Sequence, residues 1–531
     1  MASAMIPHLR VNTYNLWVVI LVAVGTISTA YGLAVIGSTV GQPSFYTFFS
    51  LEEDTSKPGY QHTTNMIGAL NGINSAGAVI GCITQAWAAD AFGRKTTIQI
   101  GSAVLILGGA LCAGAVHMAM FLVGRLIAGL GAGILACIVP IYQAEVSTAA
   151  TRGAMVCVTG IMYAVGYSLA GWLGYACFFM DAENPAAEFA WRFPLAFQVV
   201  FPLTVLAGCP FIPESPRWVL AQGRREETLR IVTRLHDNND DDDNDHRDDH
   251  SPSSAGTAAT SPSIANEEFH VMETQLEMDR SMSRKGLGLD LFSTPANRKR
   301  SLIAMILMVG NQFLGTFVLT NYGVLIYASL GLTGHVPLLL NACWNTFTLT
   351  GNTWAALFVD RFGRRRFLLL GSTGCTLCMV FLCALTAEFL NTDNVAGLRA
   401  AVFFIFFYIF WWCFFIDATQ FAYIAEIFPN HLRSQGVALG LGCFYLSSEV
   451  TLVGAPVALD RIGWKFYLVL IVPSVVYIAC IWFFFPETKG RTLEGMGKIF
   501  GEETSVFVPE KTGEKAGDEE KGAEERVENV A

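Results

Sequence analysis

Charge is the scarcest commodity in this chain. Of 531 residues, 15% are Asp, Glu, Lys or Arg, and nine are His, while 53% are hydrophobic and the mean hydropathy is +0.44. A soluble protein of that composition would bare large apolar patches, which argues against one. Several signatures are also missing. There is no N-x-Ser/Thr acceptor, no run of short alternating strands as in an outer-membrane barrel, and no phosphate loop. No nucleophile–base arrangement stands out, so an enzyme is not expected. "GLGAG" (129–133) lies inside an apolar run and is not a nucleotide loop. The thirteen cysteines fall almost entirely in apolar segments and read as buried thiols. Even Cys375, Cys378 and Cys383, the nearest approach to a metal pattern, have no His partner, and no metal or cofactor is expected.

What is present is a series of apolar runs of about 20 residues, the length that crosses ~30 Å of hydrocarbon as a helix. Twelve are legible: 15–37, 64–89, 97–117, 121–143, 154–177, 192–213, 301–329, 336–358, 366–387, 397–427, 435–459 and 464–485. The pattern predicts an all-α membrane protein with twelve transmembrane helices. The first run is longer than a signal-peptide core and no small-residue cleavage site clearly follows it. Lys and Arg in short loops favour one side: Arg94, Lys95, Arg152, Arg361, Arg364, Arg365, Arg366 and Arg433. The other side has Lys57, Arg192, Arg399, Arg461 and Lys465. This bias predicts both termini in the cytoplasm and a multi-pass protein of the plasma membrane.

Net charge is −10, but its placement says more than its total. Residues 237–249 carry a net −7 and residues 501–531 a net −6, so the remainder is slightly positive. Both acidic stretches read as solvated segments, not as metal or partner sites, and nothing points to a nucleic-acid partner.

Short motifs recur at a nearly constant offset. "ADAFGRK" (89–95) returns as "VDRFGRR" (359–365), "YQAEVSTAATRG" as "YIAEIFPNHLRSQG", and "PESPR" (213–217) as "PETKGR" (486–491). In each half they follow the second, fourth and sixth span. This is a duplicated six-helix unit, as in transporters whose site lies between two repeats. The expected organisation is a cytoplasmic N-terminus (1–14) and a first bundle (15–213). A cytoplasmic linker (214–300), disordered about 237–266, leads to a second bundle (301–485) and an acidic cytoplasmic tail (486–531).

On these motifs, with "VPIYQAEVSTAATRG", "PESPRW", "AEIFPNHLRSQG" and "PETKGRTLE", the chain resembles the sugar porter family of the major facilitator superfamily over about 15–495. "GQPSF" and "DATQFAYIAEIFP" look most like a fungal branch. The resemblance implies two pseudo-symmetric six-helix bundles that alternate access to a central site, with a sugar or sugar-like small molecule and possible protons as partners in the lipid bilayer. It also makes Asp90, Arg94, Glu145, Arg152, Asp360, Arg364, Glu426 and Arg433 the charge network of a cytoplasmic gate. Opposite charges at helix ends pair in one state and separate in the other. Gly68, Gly72, Gly77 and Gly81 are better read as close helix packing.

Transferred position by position, the family's sugar site falls on Asn311, Gln312 and Tyr322 in span 7, with Asn321 replacing a second tyrosine. Thr348 falls in span 8, with Asn345 one turn away. Phe421 falls in span 10, and Phe444 and Tyr445 in span 11. Gly160 replaces a glutamine and Phe317 an asparagine, so amides have been lost and aromatic surface kept. Asp417 and Glu449 share helical faces with Phe421 and Tyr445, and intramembrane acids are candidates for substrate contact or proton coupling. In proton-coupled family members an Asp in span 1 pairs with an Arg early in span 4. Here Arg125 is kept and Gly32 stands at the acid's position. The function read from the sequence is therefore secondary transport, either facilitated or proton-coupled through another acid. Transport or export of a less polar metabolite or organic acid, and a non-transporting nutrient sensor, are the competing readings.

Overall fold

The computed structural model describes residues 13–52, 59–147, 152–183, 188–236, 289–390, 394–429 and 432–489, with Lys57, Thr392 and short pieces within 266–277 and 496–501. The acidic stretch of the linker and the acidic tail lie outside the described residues.

Twelve spans form, at the places the apolar runs predict. We number them α1 (Thr13–Thr39), α2 (Tyr60–Phe92), α3 (Arg94–Ala113), α4 (Met118–Val146), α5 (Arg152–Glu183) and α6 (Phe189–Phe197 continued by Val200–Gly208). The second six are α7 (Pro295–Phe313 continued by Thr316–Ser329), α8 (Val336–Phe362), α9 (Arg364–Phe389), α10 (Val395–Trp411, Trp412–Ile416 and Asp417–Ile427), α11 (Arg433–Ile462) and α12 (Phe466–Phe484). Among the described residues ten stretches are long and apolar enough to cross a membrane, one of them containing both α11 and α12. α8 falls short of that hydropathy because its inward face is polar: Asn341, Asn345, Thr348 and Asn352 are all buried. The protein is an integral, multi-pass membrane protein, its helices in two six-helix bundles.

Local breaks have local causes. α7 bends at Gly315, which adopts φ +96° where a side chain would strain the backbone. α10 widens into a π-helical turn at Trp412–Ile416, immediately before Asp417. Such turns interrupt the regular ladder and re-aim the side chains that follow.

Within the first bundle α2 and α4 are in backbone contact. A Cβ on Gly77 or Gly81 would sit 2.2 Å from the carbonyl oxygen of Leu126 or Leu130. One on Gly129 or Gly133 would meet those of Asn74 or Ala78 at 2.0 and 2.1 Å. Four glycines thus let two helices close without side chains between them, as expected for Gly77 and Gly81. Gly68 does the same across the halves, against the Val453 carbonyl of α11, while Gly72 makes room for the Val453 and Glu449 side chains.

The halves meet chiefly along two seams, α2 with α11 and α5 with α8, with a smaller contact of α1 on α7. In the second, Trp172 donates to Thr346 (2.8 Å) and Ser168 to the Asn345 carbonyl (3.2 Å). Both contacts lie toward the end of the bundle remote from the arginine-rich motifs.

Candidate functional site

A cavity opens between the bundles near mid-span. α1 and α5 contribute Leu33, Gly160, Tyr163 and Tyr167. α7, α8, α10 and α11 contribute Thr316, Phe317, Thr320, Trp344, Asn345, Thr348, Asn352, Trp412, Asp417, Gln420, Phe421, Phe444 and Tyr445, among others. The Tyr163 and Phe421 rings, one from each half, lie nearly parallel with centroids 6.2 Å apart. Phe317 and Phe444 meet edge to face at 5.3 Å. A Cβ on Gly160 would touch nothing within 4 Å, so the position where the family carries a glutamine is open space.

Asp417 is the acid of this cavity. Its Oδ2 accepts from Asn352 Nδ2 at 2.8 Å, and the side chains of Trp412 and Gln420 flank it. The carboxylate can therefore be held by neutral donors and still face the cavity. Buried acids in membranes are held by such partners and mark sites of function.

Of the expected contact residues, Asp417, Thr348, Phe421 and Tyr445 line the cavity, and Asn311, Gln312 and Tyr322 do not. Asn311 spends its amide on the protein: Nδ2 donates to Gln420 Oε1 at 2.7 Å, and Oδ1 accepts from Tyr477 at 2.8 Å. Gln312 Oε1 accepts from Ser448 at 3.0 Å. The Tyr322 hydroxyl donates to the Leu452 carbonyl (2.6 Å) and accepts from Asn71 (3.1 Å) across the α2–α11 seam. Glu449 also belongs to that seam: its Oε1 lies where a Cβ on Gly72 would come within 2.6 Å. Asn345, expected one turn from Thr348, also lines the cavity, and what position-by-position transfer missed is Asn352 on the same helix, together with Gln420, Tyr163 and Trp412. The signal was there for α8, because 341, 345, 348 and 352 fall on one helical face.

Of the expected gate residues, Asp90, Arg94 and Glu145 cluster in one half and Arg364 and Glu426 in the other. Arg94 binds Glu145 with Nε (3.0 Å) and Nη2 (3.2 Å) and reaches Asp90 with Nη1 (3.1 Å). Glu145 also accepts from Ser215 at 2.5 Å. Glu214 caps α3, accepting from the backbone N–H groups of Arg94 (2.9 Å) and Lys95 (3.0 Å). Burial pushes the Glu214 carboxyl up against the lowering pull of these donors. In the other half Arg364 binds Glu426 (3.1 and 2.7 Å), Glu426 accepts from Thr488 (2.6 Å), and Glu487 caps α9 through the Arg364 N–H (2.9 Å). Gly93 and Gly363, at φ +93° and +94°, leave room for the two capping carboxylates. Glu214, Ser215, Glu487 and Thr488 were visible only as recurring motifs. The side chains of Arg152 and Asp360 lie outside the described residues.

The profile of the family described as "Sugar (and other) transporter" matches residues 18–500. The chain belongs to the sugar (and other) transporter family. Members similar to it include the MFS-type transporter criB of Aspergillus cristatus, 28% identical, the match covering 90% of this chain and 91% of that one. The high-affinity glucose transporter of Kluyveromyces lactis is 26% identical, covering 95% and 88%. Among solved structures, the proton:xylose symporter XylE of E. coli, bound to 6-bromo-6-deoxy-D-glucose, matches with a TM-score of 0.73 at 21% identity, covering 92% of this chain and 99% of that one. That likeness shows the shared fold of two six-helix bundles. As a family member the protein is a secondary transporter and not an enzyme.

Proposed function

We propose that this transporter carries a hydroxyl-bearing small molecule, a sugar or sugar-like compound, through the cavity between its halves, with both termini in the cytoplasm of a plasma-membrane protein. The observation that carries the reading is the pairing of Asp417 with the Tyr163–Phe421 stack at one cavity. A carboxylate accepts from two neighbouring hydroxyls at once, Asn345 and Asn352 can donate and accept, and flat rings cover the C–H face of a ring substrate. The family relationship and the names of the glucose-transporting relatives support the same substrate class.

Gly32 holds no titratable group, so the usual span 1 acid cannot couple protons. Asp417 is then the acid that links substrate to a proton gradient; without that coupling the protein is a facilitator. The two arginine–glutamate clusters serve as the cytoplasmic gate: each is paired within its own half here, while the seams at the far end are closed. Counterflow in proteoliposomes with hexoses, pentoses, polyols and organic acids, repeated across a pH gradient, tests the reading. Counterflow of polyhydroxylated compounds supports it, and exchange of organic acids alone would overturn it.

A further inference from the structure

We propose that the first bundle holds a small monovalent anion of the halide class, cradled by Arg125 and Gln198 beside Gly32, as the counter-ion of a buried guanidinium. Arg125 is 1% exposed. A guanidinium carries five N–H donors and a permanent charge. Two donors reach acceptors among the described residues: Nη1 donates to the Gly32 carbonyl at 2.9 Å and Nε to the Leu70 carbonyl at 3.3 Å. No described acid lies against it; the group that faces it is the Cys112 thiol. Two carbonyl dipoles orient a guanidinium but do not cancel its charge, and an ion without a counter-charge inside a membrane protein costs several kcal/mol.

The second observation is independent of the first. Gln198 of α6 is also 1% exposed, and its Nε2 has no hydrogen-bond partner. That nitrogen lies 2.7 Å from where a Cβ on Gly32 would be. The unmet Gln198 amide nitrogen thus lies beside the same glycine whose carbonyl accepts from Arg125, on three helices, and no carboxylate stands at that glycine. The unmet N–H donor and the surplus positive charge together select an anionic acceptor.

The test uses the full chain, purified and reconstituted, with sodium bromide and sodium gluconate as probes. Bromide is expected to raise the melting temperature saturably relative to gluconate. Crystals grown in bromide should show an anomalous peak within hydrogen-bond reach of Arg125 and Gln198. Gln198→Ala should raise the half-saturating bromide concentration. The double variant Gly32→Asp/Gln198→Ala, which supplies a fixed carboxylate and the room for it, should lose the bromide response. Equal melting temperatures in the two salts with no anomalous peak overturn the proposal, because water then fills the cradle. A bromide response that survives in the double variant also overturns it, because that response is not tied to this charge.

Discussion

Asn352 donates to Asp417 at 2.8 Å, tying the acid of α10 to the polar face of α8 inside the cavity. Neither residue is paired with a described cation, so the bond holds the carboxylate in place without neutralising it. Two consequences can be measured separately.

Asp417→Asn preserves the shape and the hydrogen bond but removes the proton site. Accumulation driven by a pH gradient should disappear while counterflow persists. Unchanged accumulation would show that Asp417 is not the coupling acid.

Asn352→Leu removes one of the carboxylate's donors. A hydrogen bond to a charged group contributes about 1.5–3 kcal/mol, so the half-saturating substrate concentration should rise roughly tenfold or more. Saturation counterflow reads this, and an unchanged value would remove Asn352 from the site.

The Tyr163–Phe421 stack spans the two halves. Aromatic contacts of this kind contribute about 0.5–1.5 kcal/mol beyond burial. Tyr163→Ala and Phe421→Ala should each weaken substrate binding, and Phe421→Trp should keep it. Gly160→Gln fills open cavity space with an amide and should change the preference among sugars without loss of folding, as read by competition and thermal stability together.

Glu145→Gln removes the charge that Arg94 grips twice and that Ser215 also binds. Glu426→Gln does so in the other half. Breaking partly buried pairs of this kind should cost stability and bias the transporter between its two states. Labelling of single cysteines placed on either side of the cavity should shift in the same direction for both variants, because the clusters are related by pseudo-symmetry. Opposite shifts would refute a shared gate.

Much of this was legible in residue order. The twelve spans follow from apolar length, which the bilayer imposes regardless of packing. The two arginine–glutamate clusters follow from motifs that recur 270 to 281 residues apart, such as Asp90 with Asp360 and Glu145 with Glu426. The helix-packing role of Gly77 and Gly81 follows from small residues spaced one turn apart. The cavity was only partly legible. Asp417, Phe421, Thr348 and Tyr445 line it, yet Asn311 and Tyr322, at equally suggestive positions, are consumed by Gln420, Tyr477, Leu452 and Asn71.

The reason lies in what each level can encode. Hydrophobic length and duplicated motifs are local properties of the chain, so residue order alone determined a two-bundle membrane transporter with an arginine–glutamate cluster in each half. Which polar side chain faces the cavity and which faces another helix depends on rotation about the helix axis. That rotation is set by contacts between residues more than a hundred positions apart. Tertiary structure alone therefore decided that Asp417 faces the cavity, that Glu449 lies in the α2–α11 seam, and that Gln198 and Arg125 each reach the glycine at position 32.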